Sequence, residues 1–216
     1  MEHSVSAVSA VSAVSKVSKQ AVSSRWGGGV SPLGVNWNKL MMWIFIVTDG
    51  LLFAGFLASY GFARVASDAW PDRLEVFHLW FISAMTFVLI SSSATMATAV
   101  GASRRKDEKL VTQMILATLV GGAIFLSMQA YEWTTLIREG ASLYSNPWGV
   151  PQFANYFFII TGFHGSHVLT GLIILTIVAA KALRGRLTAD GVELAGLYWH
   201  FVDLVWVFIF TLFYLI

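Results

Sequence analysis

Cysteine is absent from this 216-residue sequence, and charged residues are scarce. Without cysteine the chain can form no disulfide, no thiolate-ligated iron–sulfur or copper site and no covalently attached c-type haem. Charged residues make up 12% of the sequence, against about a quarter in an average soluble domain, which excludes a water-soluble globule. The formal net charge of +2 is too balanced for a protein that binds nucleic acid phosphates.

Long hydrophobic runs predict five membrane-spanning helices. A spanning helix needs about 20 apolar residues, because the hydrocarbon core is about 30 Å thick and each residue rises about 1.5 Å. The runs lack the alternation typical of barrel strands. The predicted fold class is therefore an all-α membrane protein with a bundle of five transmembrane helices. The predicted spans are Leu40–Phe62, Phe77–Val100, Leu110–Leu136, Phe153–Ala180 and Leu194–Ile216.

The amino-terminal segment differs from the rest of the chain because it is built from repeated Val-Ser-Ala triplets. Such low complexity favours a disordered tail over residues 1–38, ahead of a five-helix domain over residues 39–216. A short amphipathic helix on the membrane surface is the alternative, because valine recurs every three residues between Val5 and Val14.

The basic residues are distributed unevenly between the predicted loops. Eleven of the 14 Lys and Arg residues lie on the side of the amino terminus, and only Arg64, Arg73 and Arg138 lie on the other. The positive-inside rule then predicts a cytoplasmic amino terminus and a carboxyl terminus on the opposite side. We therefore expect the chain to be an integral protein of the bacterial cytoplasmic membrane.

Six ionisable residues fall inside the predicted spans, where a charge costs about 2.5–3.5 kcal/mol at the bilayer centre. The rise per residue places four of them in the cytoplasmic half of the membrane, one near its middle and one near the opposite surface. In that order they are Asp49, His167, His200 and Asp203, then His164, then Glu132.

Two interpretations of these residues are open. They could hydrogen-bond between helices and fix helix register, or they could form a site that handles protons or binds lipid headgroups. His164 and His167 share a helix face, and Gly162 and Gly165 thin the adjoining surface so that another helix can approach. No three of the six residues show metal-ligand spacing, so a metal ligand set is not expected.

Two sequence motifs resemble the paired signatures of subunit III of the haem-copper terminal oxidases. The motifs are Gly-Phe-His-Gly-Ser-His-Val at 162–168, followed by Gly171, and Tyr-Trp-His-Phe-Val-Asp-Leu-Val-Trp-Val-Phe at 198–208. The segment Gln-Ala-Tyr-Glu-Trp at 129–133 is similar to the family's Gln-x-x-Glu-aromatic element. The first span, around Asp49, is similar to a family segment that carries a glutamate where this chain has the shorter aspartate.

The resemblance covers roughly Trp37 to Leu215 and matches the short form of the family, which has five spans rather than seven. It implies a non-catalytic subunit that carries no haem or copper and has no active site of its own. Subunit I would be the main partner and would hold the haems and the oxygen-reducing copper site, while other oxidase subunits complete a proton-pumping complex. Phospholipid would bind between the helices, and the subunit would support proton uptake and the stability of the complex. The electron donor, cytochrome c or quinol, and membership of a respiratory supercomplex are left open.

Three alternatives remain at this point. The first is a small b-type cytochrome in which His167 and His200 ligate a haem from neighbouring helices. The second is a subunit III-like protein associated with a nitric oxide reductase. The third is a self-sufficient proton or ion channel.

Overall fold

The structure, a computed structural model, describes residues 36–216. Over this part of the chain, five helices are long and apolar enough to cross a membrane, which confirms the predicted fold class and number of spans. They are α1 (Trp37–Val65), α3 (Leu79–Arg104), α4 (Glu108–Arg138), α5 (Pro151–Leu183) and α6 (Ala189–Phe210); α2 (Arg73–Val76) is a short helix between α1 and α3. The tail prediction for residues 1–35 lies outside the described residues, and α1 already includes Trp37 and Asn38 of the segment predicted as tail.

Local hydrogen bonds fix where the long helices begin. Asp107 caps α4, because its carboxylate accepts the backbone N–H of Leu110 at 3.1 Å. Thr188 caps α6 in the same way through the N–H of Gly191 at 3.3 Å. Pro151 starts α5 at a position where a missing N–H costs no hydrogen bond. These three helices therefore begin two or more residues before the predicted hydrophobic runs.

At two positions the predicted spans reach beyond the observed α-helices. The second span begins at Leu79 rather than Phe77, because Phe77 has an extended backbone that terminates α2. The last span is α-helical only to Phe210 and continues as a π-helix over Thr211–Leu215. The wider turn coincides with two side-chain contacts that hydropathy does not report: Phe213 stacks on Tyr60 at 4.0 Å, and the Tyr214 hydroxyl reaches Glu132.

Helices α3 to α6 form the packed part of the bundle, in which α3 lies against α4 and α6, and α5 lies against the same two helices. Glycines allow this close approach. A Cβ atom on Gly162 would lie 2.8 Å from the Trp133 ring, and one on Gly165 would lie 3.2 Å from the Gln129 side chain. The prediction that these two glycines admit another helix is therefore confirmed.

Two buried tryptophans join α6 to α3 by hydrogen bonds. The indole N–H of Trp199 donates to Ser92 at 3.1 Å, and that of Trp206 donates to Thr86 at 3.0 Å. Both indoles are almost fully buried, so in the membrane interior these hydroxyls satisfy donors that water cannot reach. The hydroxyl groups of Thr86 and Ser92 thus fix the register of α6 against α3.

Thr86→Val should lower the free energy of unfolding by about 1 kcal/mol, because it keeps the side-chain volume but leaves the Trp206 N–H unpaired. Thr98→Val is the matched control, since Thr98 is exposed and its hydroxyl donates only to the Ala94 carbonyl in its own helix. Denaturant unfolding in mild detergent, followed by tryptophan fluorescence, measures both variants. Equal stability of the two variants would contradict a structural role for this hydrogen bond.

Candidate functional site

The two ends of the bundle serve as reference points for the site residues. The basic end carries the loops 105–107 and 184–188, and the far end carries the loops 66–72 and 139–150. Arg104 and Glu193 form an ion pair of 3.5 Å at the basic end. At the far end Arg64 and Arg73 both donate to the carbonyl oxygen of Ile216. The assignment of the basic end to the cytoplasm remains a prediction from the sequence.

Asp49 of α1 and His167 of α5 form a pair within the membrane-spanning part. The Asp49 Oδ2 atom lies 3.4 Å from His167 Nε2, within ion-pair distance but without hydrogen-bond alignment. Asp49 is only 9% exposed. The ring of Phe53, one turn further along α1, packs edge-on against His167 with centroids 5.5 Å apart. The Phe53 ring therefore covers one side of the pair with an apolar surface.

The hydrogen bonds of His167 restrict where its protons can lie. Its Nδ1 atom is 2.9 Å from the Phe163 carbonyl oxygen, and because a carbonyl only accepts, Nδ1 carries a hydrogen. A proton taken up by the pair would lie either on Nε2, giving an imidazolium and a carboxylate, or on the Asp49 carboxyl group. The Tyr198 hydroxyl donates to the His167 carbonyl at 3.0 Å and ties this part of α5 to α6. The arrangement can hold and release a single proton.

His164 lies in the centre of the bundle and is fully buried. Trp206 and Phe125 flank it at centroid distances of 5.1 and 5.9 Å, and Phe53 lies at 6.4 Å. Neither ring nitrogen has a hydrogen-bond partner in the described part of the chain. His164 and His167 are one turn apart, as the sequence indicates, but only His167 meets a carboxylate.

Glu132 is buried nearer the far end and pairs with Tyr214 of the π-helix. The tyrosine hydroxyl lies 3.1 and 3.2 Å from the two carboxylate oxygens and donates to them. Sequence analysis selected Glu132 but missed Tyr214 as its partner. The aromatic-rich carboxyl-terminal segment gave no signal for this pairing, because 82 residues separate the two side chains in sequence.

His200 and Asp203 of α6 face α3 rather than the Asp49 pair. The Ser93 hydroxyl is 2.6 Å from His200 Nδ1, and Asp203 has a buried Oδ1 without a hydrogen-bond partner among residues 36–216. Sequence analysis did not select Ser93 as a partner of His200. The structure thus divides the four polar residues predicted in one half of the membrane between two places on the bundle.

This separation bears on the haem-binding alternative, which requires the imidazoles of His167 and His200 to face a common space. In the structure His167 faces Asp49 of α1, whereas His200 faces Ser93 of α3. The geometry gives that alternative no support. Within residues 36–216, no group of three or more His, Cys, Asp or Glu side chains could hold a metal ion.

The expectation of a metal-free role for the histidines stays a prediction. Replacing His164 and His167 together by alanine should leave the metal content of the whole purified complex unchanged, because neither residue belongs to a possible ligand group. Elemental analysis by mass spectrometry measures this, with the complex that contains the unaltered chain as control. Loss of one metal per complex would contradict the prediction.

Comparison with known proteins gives a match over nearly all of the described chain. The family described as Cytochrome c oxidase subunit III matches residues 33–216. Cytochrome c oxidase subunit 3 of Thermostichus vulcanus is 34% identical over 185 residues, covering 84% of this chain and 88% of the relative. Quinol oxidase subunit 3 of Bacillus spizizenii is 37% identical over 183 residues, covering 82% and 86%. The probable quinol oxidase subunit 3 of Staphylococcus saprophyticus is 34% identical over 185 residues, covering 84% and 90%.

Proposed function

Because this chain belongs to the cytochrome c oxidase subunit III family, we propose that it is the non-catalytic subunit that packs against subunit I of a haem-copper oxidase. In this role it binds phospholipid and supports proton uptake and the working lifetime of the complex, while the haems and copper reside in partner subunits. The observation that carries the proposal is the family match over residues 33–216, since it includes all five spanning helices. The relatives have both cytochrome c oxidase and quinol oxidase names, and the proposal covers either electron donor.

Support for a role in proton uptake comes from the pair of Asp49 and His167. The Asp49 Oδ2 and His167 Nε2 atoms lie 3.4 Å apart, in membrane-spanning helices that are mainly apolar. A carboxylate in such a place needs a partner or a function, because a lipid environment disfavours its charged form. With the basic end in the cytoplasm, the pair would lie in the half of the membrane from which protons are taken up.

Support for lipid binding comes from a groove of about 960 Å³ between α3 and α4, toward the far end. Its wall runs along α4 from Val120 to Leu136, a helical length of about 24 Å, which suits an extended acyl chain. Polar side chains, including His78 and Thr135, lie among the apolar ones near the end of α4 and could contact a headgroup.

Purification of the complex in mild detergent tests the assignment to an oxidase. A tagged full-length chain should co-purify with a subunit that contains haem, and the preparation should consume oxygen with cytochrome c or quinol as electron donor. The haem absorption should remain with the partner when the tagged chain is dissociated. A haem that stays on this chain, or a chain recovered with no oxidase subunit, would overturn the proposal.

The lipid groove has its own test. Ala123→Trp places an indole in the groove lining and should reduce the phospholipid that is retained per complex, as measured by native mass spectrometry. Ala130→Trp is the matched control, because Ala130 is exposed on the same helix but does not line the groove. Equal lipid retention in the two variants would contradict lipid binding in this groove.

A further inference from the structure

Ser93 of α3 lies between two titratable side chains of α6. Its hydroxyl oxygen is 2.6 Å from His200 Nδ1. His200 and Asp203 are three residues apart, so they share one face of α6, and the Asp203 carboxyl group lies beside the same hydroxyl. Within residues 36–216, no hydrogen bond or ion pair joins His200 to Asp203 directly. Ser93 is therefore the group through which the two side chains can interact, and we refer to the three residues as the Ser93 cluster.

The hydrogens of the Ser93 cluster can be counted. A serine hydroxyl has one hydrogen to donate, and its oxygen can also accept. If Ser93 donates to His200 Nδ1, a hydrogen bond to the Ser93 oxygen has to come from a protonated Asp203. If Nδ1 instead carries a hydrogen and donates to Ser93, the hydroxyl donates to an ionised Asp203. The two arrangements hold the same number of protons and differ only in which of the two titratable groups carries one of them.

We propose that the Ser93 cluster is a second proton-holding site, in which the Ser93 hydroxyl relays a proton between Asp203 and His200. In this transfer the carboxyl group gives its proton to the Ser93 oxygen while the Ser93 hydrogen moves to His200 Nδ1. The hydroxyl is unchanged at the end, and a neutral carboxyl group and imidazole have become a carboxylate and an imidazolium. The inference deepens the proposed role in proton uptake and rests on it, because it takes an oxidase complex as its setting.

The other titratable groups on the helices around the cluster face elsewhere. On α5, His167 faces Asp49, and His164 lies among aromatic rings. On α4, Glu132 is bonded to the carboxyl-terminal π-helix, and on α6 itself the Tyr198 hydroxyl donates to a backbone carbonyl of α5. In the described part of the chain, none of these groups makes a hydrogen bond or ion pair with the Ser93 cluster. The cluster is therefore separate from the pair formed by α1 and α5.

A groove between α3 and α6 connects the cluster with the basic end of the bundle. It has a volume of about 310 Å³, and its lining includes His200 and small residues such as Ala97 and Gly101. The ion pair of Arg104 and Glu193 also lines it, and the Arg104 side chain is 71% exposed, so this end of the groove meets water. Glu193 and His200 are seven residues apart on α6, a distance of about 10 Å. The groove thus gives protons a short path to the cluster.

Coupling between the two titratable groups tests the relay. The titration of the His200 imidazole is followed by infrared difference spectroscopy of the purified complex, and its signal is assigned by subtracting the spectrum of His200→Gln. Asp203→Asn should change the proton affinity of His200 by about tenfold, because two groups joined by hydrogen bonds titrate as a pair. In the Ser93→Ala background the same substitution should change it by less than about twofold, since the connecting hydroxyl is lost.

Two further backgrounds serve as controls. Ser93→Thr keeps a hydroxyl and should retain the tenfold effect of Asp203→Asn. Ser91→Ala removes a hydroxyl from an exposed position on the same helix and should also retain it. An effect of equal size with and without the Ser93 hydroxyl would overturn the relay, and so would a His200 titration that does not respond to Asp203→Asn in any background.

The path through the groove has a separate test, for which the chain is suited because it contains no cysteine. Ala97→Cys should react about tenfold faster than Thr98→Cys with a charged, membrane-impermeant thiol reagent, because a thiol ionises more readily in water than among acyl chains. Both positions are exposed on α3, but only Ala97 lines the groove. Mass spectrometry of the labelled chain from the whole complex measures the two rates. Equal rates would contradict the groove as the path for protons.

These experiments separate the inference from the proposed function. If the unaltered chain co-purifies with an oxidase but His200 and Asp203 titrate independently, only the proton relay is wrong. If the unaltered chain co-purifies with no oxidase subunit, the proposed function itself fails.

Discussion

Gly122→Ala should lower the free energy of unfolding by about 3 kcal/mol, because the packed bundle leaves no space for the added methyl group. A Cβ atom on Gly122 would overlap the Trp199 ring and lie 2.8 Å from the Leu172 side chain. Trp199 cannot move aside easily, because it is 1% exposed and its N–H is bonded to Ser92. On its other side, Gly171 of α5 approaches the same ring, where a Cβ atom would lie at 2.9 Å.

The measurement is denaturant unfolding in mild detergent, with the yield of folded chain in the membrane as a second readout. Gly55→Ala is the matched control, because a Cβ atom on Gly55 of α1 would have no neighbour within 4 Å. We expect that variant to be as stable as the unaltered chain. Shortening the ring in Gly122→Ala/Trp199→Leu should recover part of the loss, since the two side chains are in direct contact and their effects are not additive. Equal stability of the two alanine variants would contradict this packing.

Asp49→Asn should allow normal assembly and a near-normal initial rate of oxygen consumption, followed by a several-fold faster loss of activity during turnover. The amide keeps the shape of the side chain and its ability to hydrogen-bond, but it cannot take up or release a proton beside His167. Under the proposed function the chemistry takes place in subunit I, so only the supply of protons or the protection of the complex would suffer. Oxygen consumption against time, under matched substrate, measures the effect.

Two further variants test whether the effect of Asp49→Asn comes from the loss of the ionisable pair. His167→Gln should give the same accelerated decay, because it removes the other half of the pair, whereas Asp49→Glu keeps an ionisable group and should decay like the unaltered complex. Decay curves for Asp49→Asn identical to those of the unaltered complex would reduce Asp49 to a structural residue. Immediate and complete inactivity in a fully assembled complex would contradict the placement of catalysis in another subunit.

The membrane-embedded, five-helix architecture could be read from the sequence because hydropathy is a local property. Each span needs about 20 apolar residues wherever its neighbours lie, so composition within one segment suffices to locate it. The caps at Asp107 and Thr188 are local as well, since each side chain bonds to a backbone N–H three residues away. The motifs at 162–168 and 198–208 were equally visible, and the family they resemble is the one that matches residues 33–216.

Pairing of the polar groups was decided only by the tertiary structure. Which side chain meets Asp49, Glu132 or His200 depends on how each helix is rotated about its axis, and hydropathy is almost insensitive to that rotation in helices that are apolar on all sides. Contacts far apart in sequence set the rotation, chiefly the fit of Trp199 between Gly122 and Gly171. The π-helical turn that accompanies the contact of Tyr214 with Glu132 was hidden for the same reason, because it depends on a partner 82 residues away rather than on its own sequence.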